Sequence, residues 1–334
     1  RENRFRISLR YMPNAAAISV LSLQNAWLAR ADRKTDCSAT EIRPPLFILG
    51  HWRGGTTHLH YILDQDPALH APNTYQVCYP LSFLQSEESH GGALARLVPE
   101  KRPQDNMPMS MKTPNEDEIA LAALGLPSPY LAWAFPERSR HYLRFLSFQD
   151  ATAEETGAWK AGFLSYLRRL SHGHGRRLVL KSPSHTARVR LLLELFPDAR
   201  FIHIHRDPYT VFQSSLHLYR TWEKEFAFLQ PPDMDAIEDY AIGLYREMYS
   251  RYFEDLHLVP EGRLFDLSFD RLEREPMAAL EDAYGSLELP DFPAERFQGY
   301  LAGVAGYRKN SHSPLDARQK ERVADAWAFA FERL

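Results

Sequence analysis

The sequence has few of the residues that build disulfide frameworks and metal sites. Only Cys37 and Cys78 are cysteines among its 334 residues, and they are too far apart to form a C-x-x-C motif. This spacing excludes a zinc ribbon and a thioredoxin-like redox motif, and no H-E-x-x-H pattern occurs either. We therefore expect no metal cofactor. Because so little cysteine is present, a reducing compartment is the simpler expectation, which predicts a cytoplasmic protein.

Long apolar runs and a large excess of one charge are absent too. A membrane-spanning helix needs about 18 apolar residues, whereas the most apolar stretch, residues 15–28, is interrupted by Ser19 and Gln24. A net charge of −3 argues against nonspecific binding to nucleic acid, although it allows one local basic pocket. We expect neither a membrane span nor a nucleic-acid partner. Since the chain begins with Arg1, an upstream signal or anchor segment stays open as an alternative.

What the chain does contain is an alternation of short apolar runs with helical patterns. Residues 46–49 form a continuous apolar run, typical of a strand buried on both faces, and helical spacing follows over 58–64. Similar strand–helix units cover 178–196 and 201–219, and a fourth strand is expected at 263–267. This order predicts an α/β fold of the P-loop-like, three-layer α/β/α kind with a central parallel sheet. Ligands of such sheets bind beyond the carboxyl ends of the strands.

The remaining segments are expected to be mainly helical and loop-rich. We predict a single domain over residues 1–334, with an N-terminal helical extension at 1–43 and a largely helical insertion at 70–176. The predicted strands lie outside both helical segments. A ligand bound at the strand ends would therefore contact the loops that follow the strands.

Residues 50–57, here called the phosphate loop, are typical of an anion site. They read Gly-His-Trp-Arg-Gly-Gly-Thr-Thr and connect the first strand to a helix. Glycines let successive backbone N–H groups face one anion, and the helix N-terminus adds about +0.5 of charge. Arg53 supplies a positive charge, and the threonines supply hydroxyl donors. In the nucleotide-hydrolysing pattern G-x-x-x-x-G-K-[ST], Thr56 occupies the lysine position, so ATP hydrolysis is not expected.

A second anion site is indicated after the third predicted strand. Arg206 stands at the end of that strand, and Ser214 lies in the helix that follows. Both side chains could contact one phosphate group. Together with the phosphate loop, they point to a nucleotide that carries anionic groups at both ends.

These motifs resemble those of the sulfotransferases, most closely of the bacterial type. Residues 47–57 resemble the family's 5′-phosphosulfate loop, which carries an R-S-G-T-T-like sequence, and residues 206–214 resemble its 3′-phosphate motif. The resemblance implies 3′-phosphoadenosine 5′-phosphosulfate as donor. It implies transfer of the sulfuryl group to a hydroxyl, or alternatively an amine, of a carbohydrate or small molecule. Gly54 replaces the family's serine, which removes one hydroxyl that could bind the donor.

The resemblance also assigns donor-binding residues by position. The 5′-phosphosulfate would be held by Arg53, Gly54, Gly55, Thr56 and Thr57, and the 3′-phosphate by Arg206 and Ser214. Near the C-terminus, Tyr307 and Lys309 lie in a basic stretch similar to the loop that closes over the nucleotide in several sulfotransferases. A plain solvated loop is the alternative for that stretch. The insertion at 70–176 would then shape the acceptor site.

Sulfuryl transfer needs a base for the acceptor proton and a cation for the leaving phosphate oxygen. Lys181 resembles the strand-end lysine of the tyrosylprotein and heparan-type sulfotransferases and is the candidate cation. Residues 72–75, where the tyrosylprotein branch has its glutamate, contain no carboxylate. The base must therefore lie elsewhere in the chain.

The best local carboxylate cluster for this base is at residues 116–118. Thr113 and Glu116 are expected to form a capping box, which gives Glu116 a structural role. Glu118 is then the first candidate base and Asp117 the second, and both precede an apolar helix that could desolvate a carboxylate. The alternative is that these acidic residues only favour the first turn of a helix. His51, inside the phosphate loop, is a further candidate.

Two other functions remain open from the sequence. One is a kinase-like P-loop enzyme, against which Thr56 counts. The other is a catalytically silent nucleotide-binding protein, which the Gly54 substitution and the missing early glutamate favour.

Overall fold

The computed structural model describes residues 7–32, 34–94, 99–102, 105–225, 228–307 and 313–334. The chain divides into two compact units. The first unit comprises Arg1–Thr40, Asn73–Leu170 and Leu218–Ile237, and the second comprises Glu41–Pro72, Ser171–His217 and Glu238–Leu334. The boundaries of the single domain predicted from the sequence stay a prediction.

The second unit is built around a parallel sheet. Its strands are β1 (Leu46–Leu49), β2 (Leu69–His70), β3 (Arg177–Lys181), β4 (Arg200–His205) and β5 (Leu264–Ser268), in the order β2-β3-β1-β4-β5. The predicted central parallel sheet is confirmed, although the two-residue β2 was not predicted. Because β1 pairs with both β3 and β4, the loops that follow these three strands meet at one edge of the sheet.

Helices account for most of the remaining described chain. They are α1 (Met12–Asp32), α2 (Thr56–Leu63), α3 (Thr74–Cys78), α4 (Phe83–Leu94), α5 (Asp117–Ala123), α6 (Leu131–Ala134), α7 (Ser139–Leu143), α8 (Ala153–Ser171), α9 (Val189–Leu195), α10 (Pro208–Glu225), α11 (Ile237–Asp255), α12 (Phe269–Arg274), α13 (Pro276–Ser286), α14 (Ala294–Val304), α15 (Ala317–Ala326) and α16 (Ala328–Phe331). Within the described residues, none of these helices combines the length and the apolar character that crossing a membrane requires.

Side chains alternate across the two faces of the sheet. On one face, Leu46 and Ile48 are fully buried in a core that also contains residues of α2, α13 and α14. On the other face, the ring of Phe47 lies 6.4 Å from that of Phe196, and His203 stacks at 4.4 Å on Tyr252 of α11. Helices therefore cover both faces, which confirms the three-layer prediction. Each fully buried leucine or isoleucine contributes about 1.5–3 kcal/mol to folding.

The start of α5 differs from the sequence-based expectation. The predicted capping box is wrong, because α5 begins at Asp117 and its N-cap residue Glu116 makes no side-chain capping bond. The Thr113 hydroxyl instead donates to the Ser110 carbonyl at 2.8 Å, which closes a turn. The next residue, Pro114, forms an isolated antiparallel β-bridge with Asn73, and this pairing holds the segment in an extended conformation. Tertiary pairing thus overrides the local capping pattern.

Candidate active site

The phosphate loop has a backbone that only glycine can adopt at two positions. Gly50 and Gly55 have φ angles of 144° and 97°. A Cβ atom on Gly50 would lie 2.3 Å from the carbonyl oxygen of Ile204, and one on Gly55 would lie 2.2 Å from the ring of Phe269. Since real Cβ atoms do not approach so closely, both glycines are needed for the loop to pass the end of β4 and the start of α12.

Arg53 connects the phosphate loop to the second predicted anion motif. Its φ angle of 70° lies in the left-handed region, which is uncommon for a residue with a side chain. Its Nε donates a hydrogen bond to the Oγ of Ser214 at 2.8 Å, and Ser214 is buried in α10. The structure therefore brings together two residues that the sequence assigned to opposite ends of one nucleotide.

Lys181 lies at the carboxyl end of β3, beside the phosphate loop. Its Cα pairs with that of Ile48 on β1, and its side chain is buried, with 2% of its surface exposed. The Nζ lies 3.4 Å from the Oγ1 of Thr57 in the first turn of α2. An ammonium group is thus placed where the N-terminus of α2 would face an anion.

The loop after β3 also fixes the first residue of the phosphate loop. The Gly50 N–H donates to the Oγ1 of Thr186 at 2.7 Å, and this hydroxyl donates to the Gly50 carbonyl at 3.2 Å. Thr186 is fully buried, so both backbone groups of Gly50 depend on its hydroxyl instead of water. Sequence reasoning missed Thr186, because no local pattern shows that its segment lies against residue 50.

Replacing Thr186 with valine is expected to lower the free energy of unfolding by about 1–3 kcal/mol. The valine has nearly the same shape, but it leaves the N–H and C=O of Gly50 buried without their partner. Urea unfolding of the variant measures the loss. Thr186→Ser keeps the hydroxyl and should retain most of the stability, so equal losses in the two variants would show that the methyl contact matters instead.

Arg206 directly follows β4 and lies beside Phe269. Its guanidinium lies 4.7 Å from the centroid of Phe269, the ring that also packs against Gly55. Burial lowers the pKa of Arg206, while nearby Glu273 and the phenol of Tyr307 act in the other direction. The arginine keeps its charge, since its ordinary pKa is far above neutral pH. Phe269 was not predicted from the sequence.

Of the two residues predicted to bind the nucleotide near the C-terminus, the structure describes Tyr307. Tyr307 is exposed and is close enough to Arg206 to influence its pKa. Lys309 lies outside the described residues.

His51 is buried inside the phosphate loop. Its Nδ1 lies 2.7 Å from the Trp52 carbonyl, which makes Nδ1 the protonated donor of the ring. Burial lowers the pKa of His51 to about 4, so the imidazole is neutral at pH 7. The Nε2 atom is buried and has no hydrogen-bond partner among the described residues.

Asp117 and Glu118 belong to the first unit, where they begin α5. Both are fully buried. The hydroxyl of Tyr130 donates to the carboxylate of Glu116. The pKa of Tyr130 is raised, mainly by burial and further by the nearby carboxylates of Glu116, Glu118 and Asp117. The donor-side candidates Arg53, Thr57, Lys181, Arg206 and Ser214 all belong to the second unit.

Within the described residues, no cluster of three histidine, cysteine or acidic side chains could hold a metal ion.

Comparison with known sequences relates this architecture to one family. The sequence model described as "Sulfotransferase family" matches residues 44–294. Two curated relatives from Mycobacterium bovis and Mycobacterium tuberculosis are both called omega-hydroxy-beta-dihydromenaquinone-9 sulfotransferase Stf3. Each is 36% identical to this chain over 292 residues, which cover 87% of this chain and 74% of the relative.

Solved structures give the same relationship at the level of the fold. The sulfotransferase STF1 from Mycobacterium tuberculosis aligns with a TM-score of 0.69 and 19% identity, over 98% of this chain and 88% of the other. The sulfotransferase STF9 from Mycobacterium avium aligns with a TM-score of 0.68 and 23% identity, over 89% of this chain and 78% of the other. At these identities the similarity supports the α/β fold described above.

Proposed function

Because this chain belongs to the sulfotransferase family, we propose that it transfers a sulfuryl group from 3′-phosphoadenosine 5′-phosphosulfate to a hydroxyl of a small-molecule acceptor. The observation that carries the choice of donor is the hydrogen bond from Arg53 to Ser214. It joins the phosphate loop to the helix after β4, so that two anion-binding motifs lie side by side. One adenosine with phosphate groups at its 3′ and 5′ positions has the matching charges.

The residues of the second unit suit this donor. The glycines let the loop turn from β1 into α2, and Thr56 and Thr57 place hydroxyl donors at the N-terminus of α2, where the phosphosulfate would bind. A Cβ atom on Gly54 would lie 3.0 Å from the His51 carbonyl, so a serine there would force this turn to open slightly. The N–H of Gly54 already donates to the His51 carbonyl at 3.0 Å, so in the proposal N–H groups at the start of α2 bind the donor in place of the family's serine hydroxyl. Arg206 would hold the 3′-phosphate together with Ser214.

Transfer would proceed as an in-line displacement at sulfur. The acceptor oxygen forms a bond to sulfur as the bond from sulfur to the 5′-phosphate oxygen breaks, and the electron pair stays on that phosphate oxygen. In the proposal, Lys181 stabilises this developing charge. Glu118 is the proposed base for the acceptor proton, with Asp117 as the second choice. His51 is the further candidate, with Nε2 as the nitrogen that would accept a proton because Nδ1 donates to the Trp52 carbonyl.

For the acceptor we propose an alcohol on an apolar, isoprenoid-quinone-like molecule instead of a carbohydrate. The curated relatives are named for a hydroxylated dihydromenaquinone. The first unit carries a partly exposed aromatic cluster that suits such a molecule: the rings of Tyr130 and Trp133 lie 4.5 Å apart, and those of Trp133 and Trp222 lie 4.4 Å apart.

We also propose a cytoplasmic location, with which the free thiols of Cys37 and Cys78 agree.

Ligand-dependent thermal unfolding and a transfer assay test this proposal. Adenosine 3′,5′-bisphosphate should raise the melting temperature, whereas ATP with magnesium should not; the reverse result would favour a kinase-like enzyme. Labelled donor should then pass its sulfuryl group to an ω-hydroxylated isoprenoid quinone in preference to sugars and phenols. Binding of the bisphosphate without transfer to any acceptor would favour a silent nucleotide-binding protein.

A further inference from the structure

The solvent-facing side of α1 carries an unusual row of apolar side chains. This apolar stripe consists of Met12, Val20, Leu23 and Trp27, which are 48%, 62%, 71% and 61% exposed. Their spacing places them on one side of the helix. A helix on the surface of a globular protein normally has polar residues on that side. Several large apolar side chains that are exposed together on one helix indicate an interaction site.

The C-terminal part of α1 is attached to the first unit on the side opposite the stripe. Asp32 accepts hydrogen bonds from the backbone N–H groups of Leu84 and Gln85, both at 3.0 Å, and pairs with Arg169 at 2.7 Å. Asn25 accepts a hydrogen bond from the hydroxyl of Ser82 at 3.0 Å. These buried contacts fix the rotation of the helix. At this end of the helix Leu23 and Trp27 therefore face solvent, because the opposite side is held by specific partners. Nearer the N-terminus, Ile18 and Leu21 of that opposite side are exposed as well, at 45% and 42%.

The charges around the stripe indicate what it contacts. Arg10 lies in the turn Leu9–Tyr11 just before α1, and Arg30 lies in the last turn of the helix. Both are exposed, and the sequence between them contains no acidic residue. Basic residues beside leucine, valine and tryptophan are the combination that binds the surface of an anionic bilayer, where tryptophan favours the interface. A neutral apolar partner would gain nothing from the arginines.

We propose that α1 lies on the surface of an anionic lipid bilayer, with the apolar stripe among the headgroups and the arginines on the phosphates. This docking would bring the enzyme to an acceptor dissolved in the membrane. That purpose rests on the proposed function, whereas the docking surface follows from α1 alone. With 21 residues α1 is long enough to cross the bilayer but not apolar enough, so it lies along the surface.

Vesicle co-sedimentation of the full chain tests the proposal. The protein should sediment with vesicles that contain about one third phosphatidylglycerol, and much less with pure phosphatidylcholine, because the arginines need anionic phosphates. The double variant Val20→Asp and Leu23→Asp should lose binding at least about tenfold. Leu81→Asp, at an exposed leucine elsewhere in the first unit, is the matched control and should bind like the wild type. Trp27→Gln provides a milder variant in case the double substitution unfolds the helix.

Two further measurements separate this idea from its rivals and from the proposed function. The stripe variants should bind adenosine 3′,5′-bisphosphate like the wild type. Their turnover of a vesicle-embedded alcohol should be at least about tenfold slower than their turnover of a short soluble analogue. Equal sedimentation of wild type and stripe variants would overturn the proposal. So would light scattering that shows a wild-type dimer and a monomeric stripe variant, because a second copy would then cover the stripe. If the wild type did not bind adenosine 3′,5′-bisphosphate, the proposed function would be refuted instead.

Discussion

Replacing Lys181 with alanine is expected to lower kcat by about 10²–10³-fold. The Nζ lies 3.4 Å from the Oγ1 of Thr57, in the first turn of α2, and the side chain is almost fully buried. A cation excluded from water stabilises a developing anion far more than an exposed one does. Affinity for the unreacted donor should change by less than about threefold, since its bridging oxygen gains charge only as the bond to sulfur breaks. Single-turnover kinetics and calorimetric titration measure the two quantities.

A matched variant separates the charge of Lys181 from its packing. Lys181→Met keeps most of the buried aliphatic length and removes only the ammonium group. It should therefore be as slow as Lys181→Ala while retaining more of the wild-type stability. A Lys181→Met enzyme with wild-type kcat would remove this lysine from the mechanism.

Replacing Arg53 with alanine is expected to weaken binding of adenosine 3′,5′-bisphosphate by about 1.5–3 kcal/mol, the range for a hydrogen bond to a charged group. That range corresponds to a decrease of about 10- to 150-fold in affinity. The substitution removes the guanidinium that would bind the donor, and it also removes the Nε donor that lies 2.8 Å from Ser214. Calorimetric titration measures the change.

The pair with Ser214 offers an internal control for this prediction. Ser214→Ala should cost less than Arg53→Ala, because it removes a neutral hydroxyl and leaves the cation in place. In the double variant the two effects should not add, with a coupling of about 0.5–3 kcal/mol. Strictly additive effects would mean that Arg53 and Ser214 bind the donor independently. Arg53→Gly should remove the same hydrogen bonds but tolerate the left-handed φ angle better than alanine.

The strand–loop–helix segment around the phosphate loop was predictable because its signals are local. The apolar run at 46–49 and the helical spacing after it gave β1 and α2 within two residues of their observed bounds. The prediction for α5 failed for the opposite reason. Its start depends on the bridge between Asn73 and Pro114, two residues far apart in the chain. The strand β2 was missed because two residues carry no periodic pattern.

Contacts across the site could not be predicted from the sequence. Thr186 binds Gly50 from 136 positions along the chain, and Phe269 packs between Gly55 and Arg206 from another segment. The strand order, with β1 between β3 and β4, is what places these segments together. The exposed stripe on α1 could not be predicted for the same reason, because the sequence shows apolar residues without showing which of them are buried.

The amino-acid sequence alone determined the alternation of strands and helices, the glycine-rich turn and the residue types able to hold two anions. These properties follow from side-chain periodicity and backbone freedom, which act over a few residues. Only the tertiary structure decided that Arg53 meets Ser214, that Lys181 meets Thr57 and that the stripe on α1 faces solvent. Such contacts depend on which strands pair and which helix faces are buried, and the packing of the whole chain sets both.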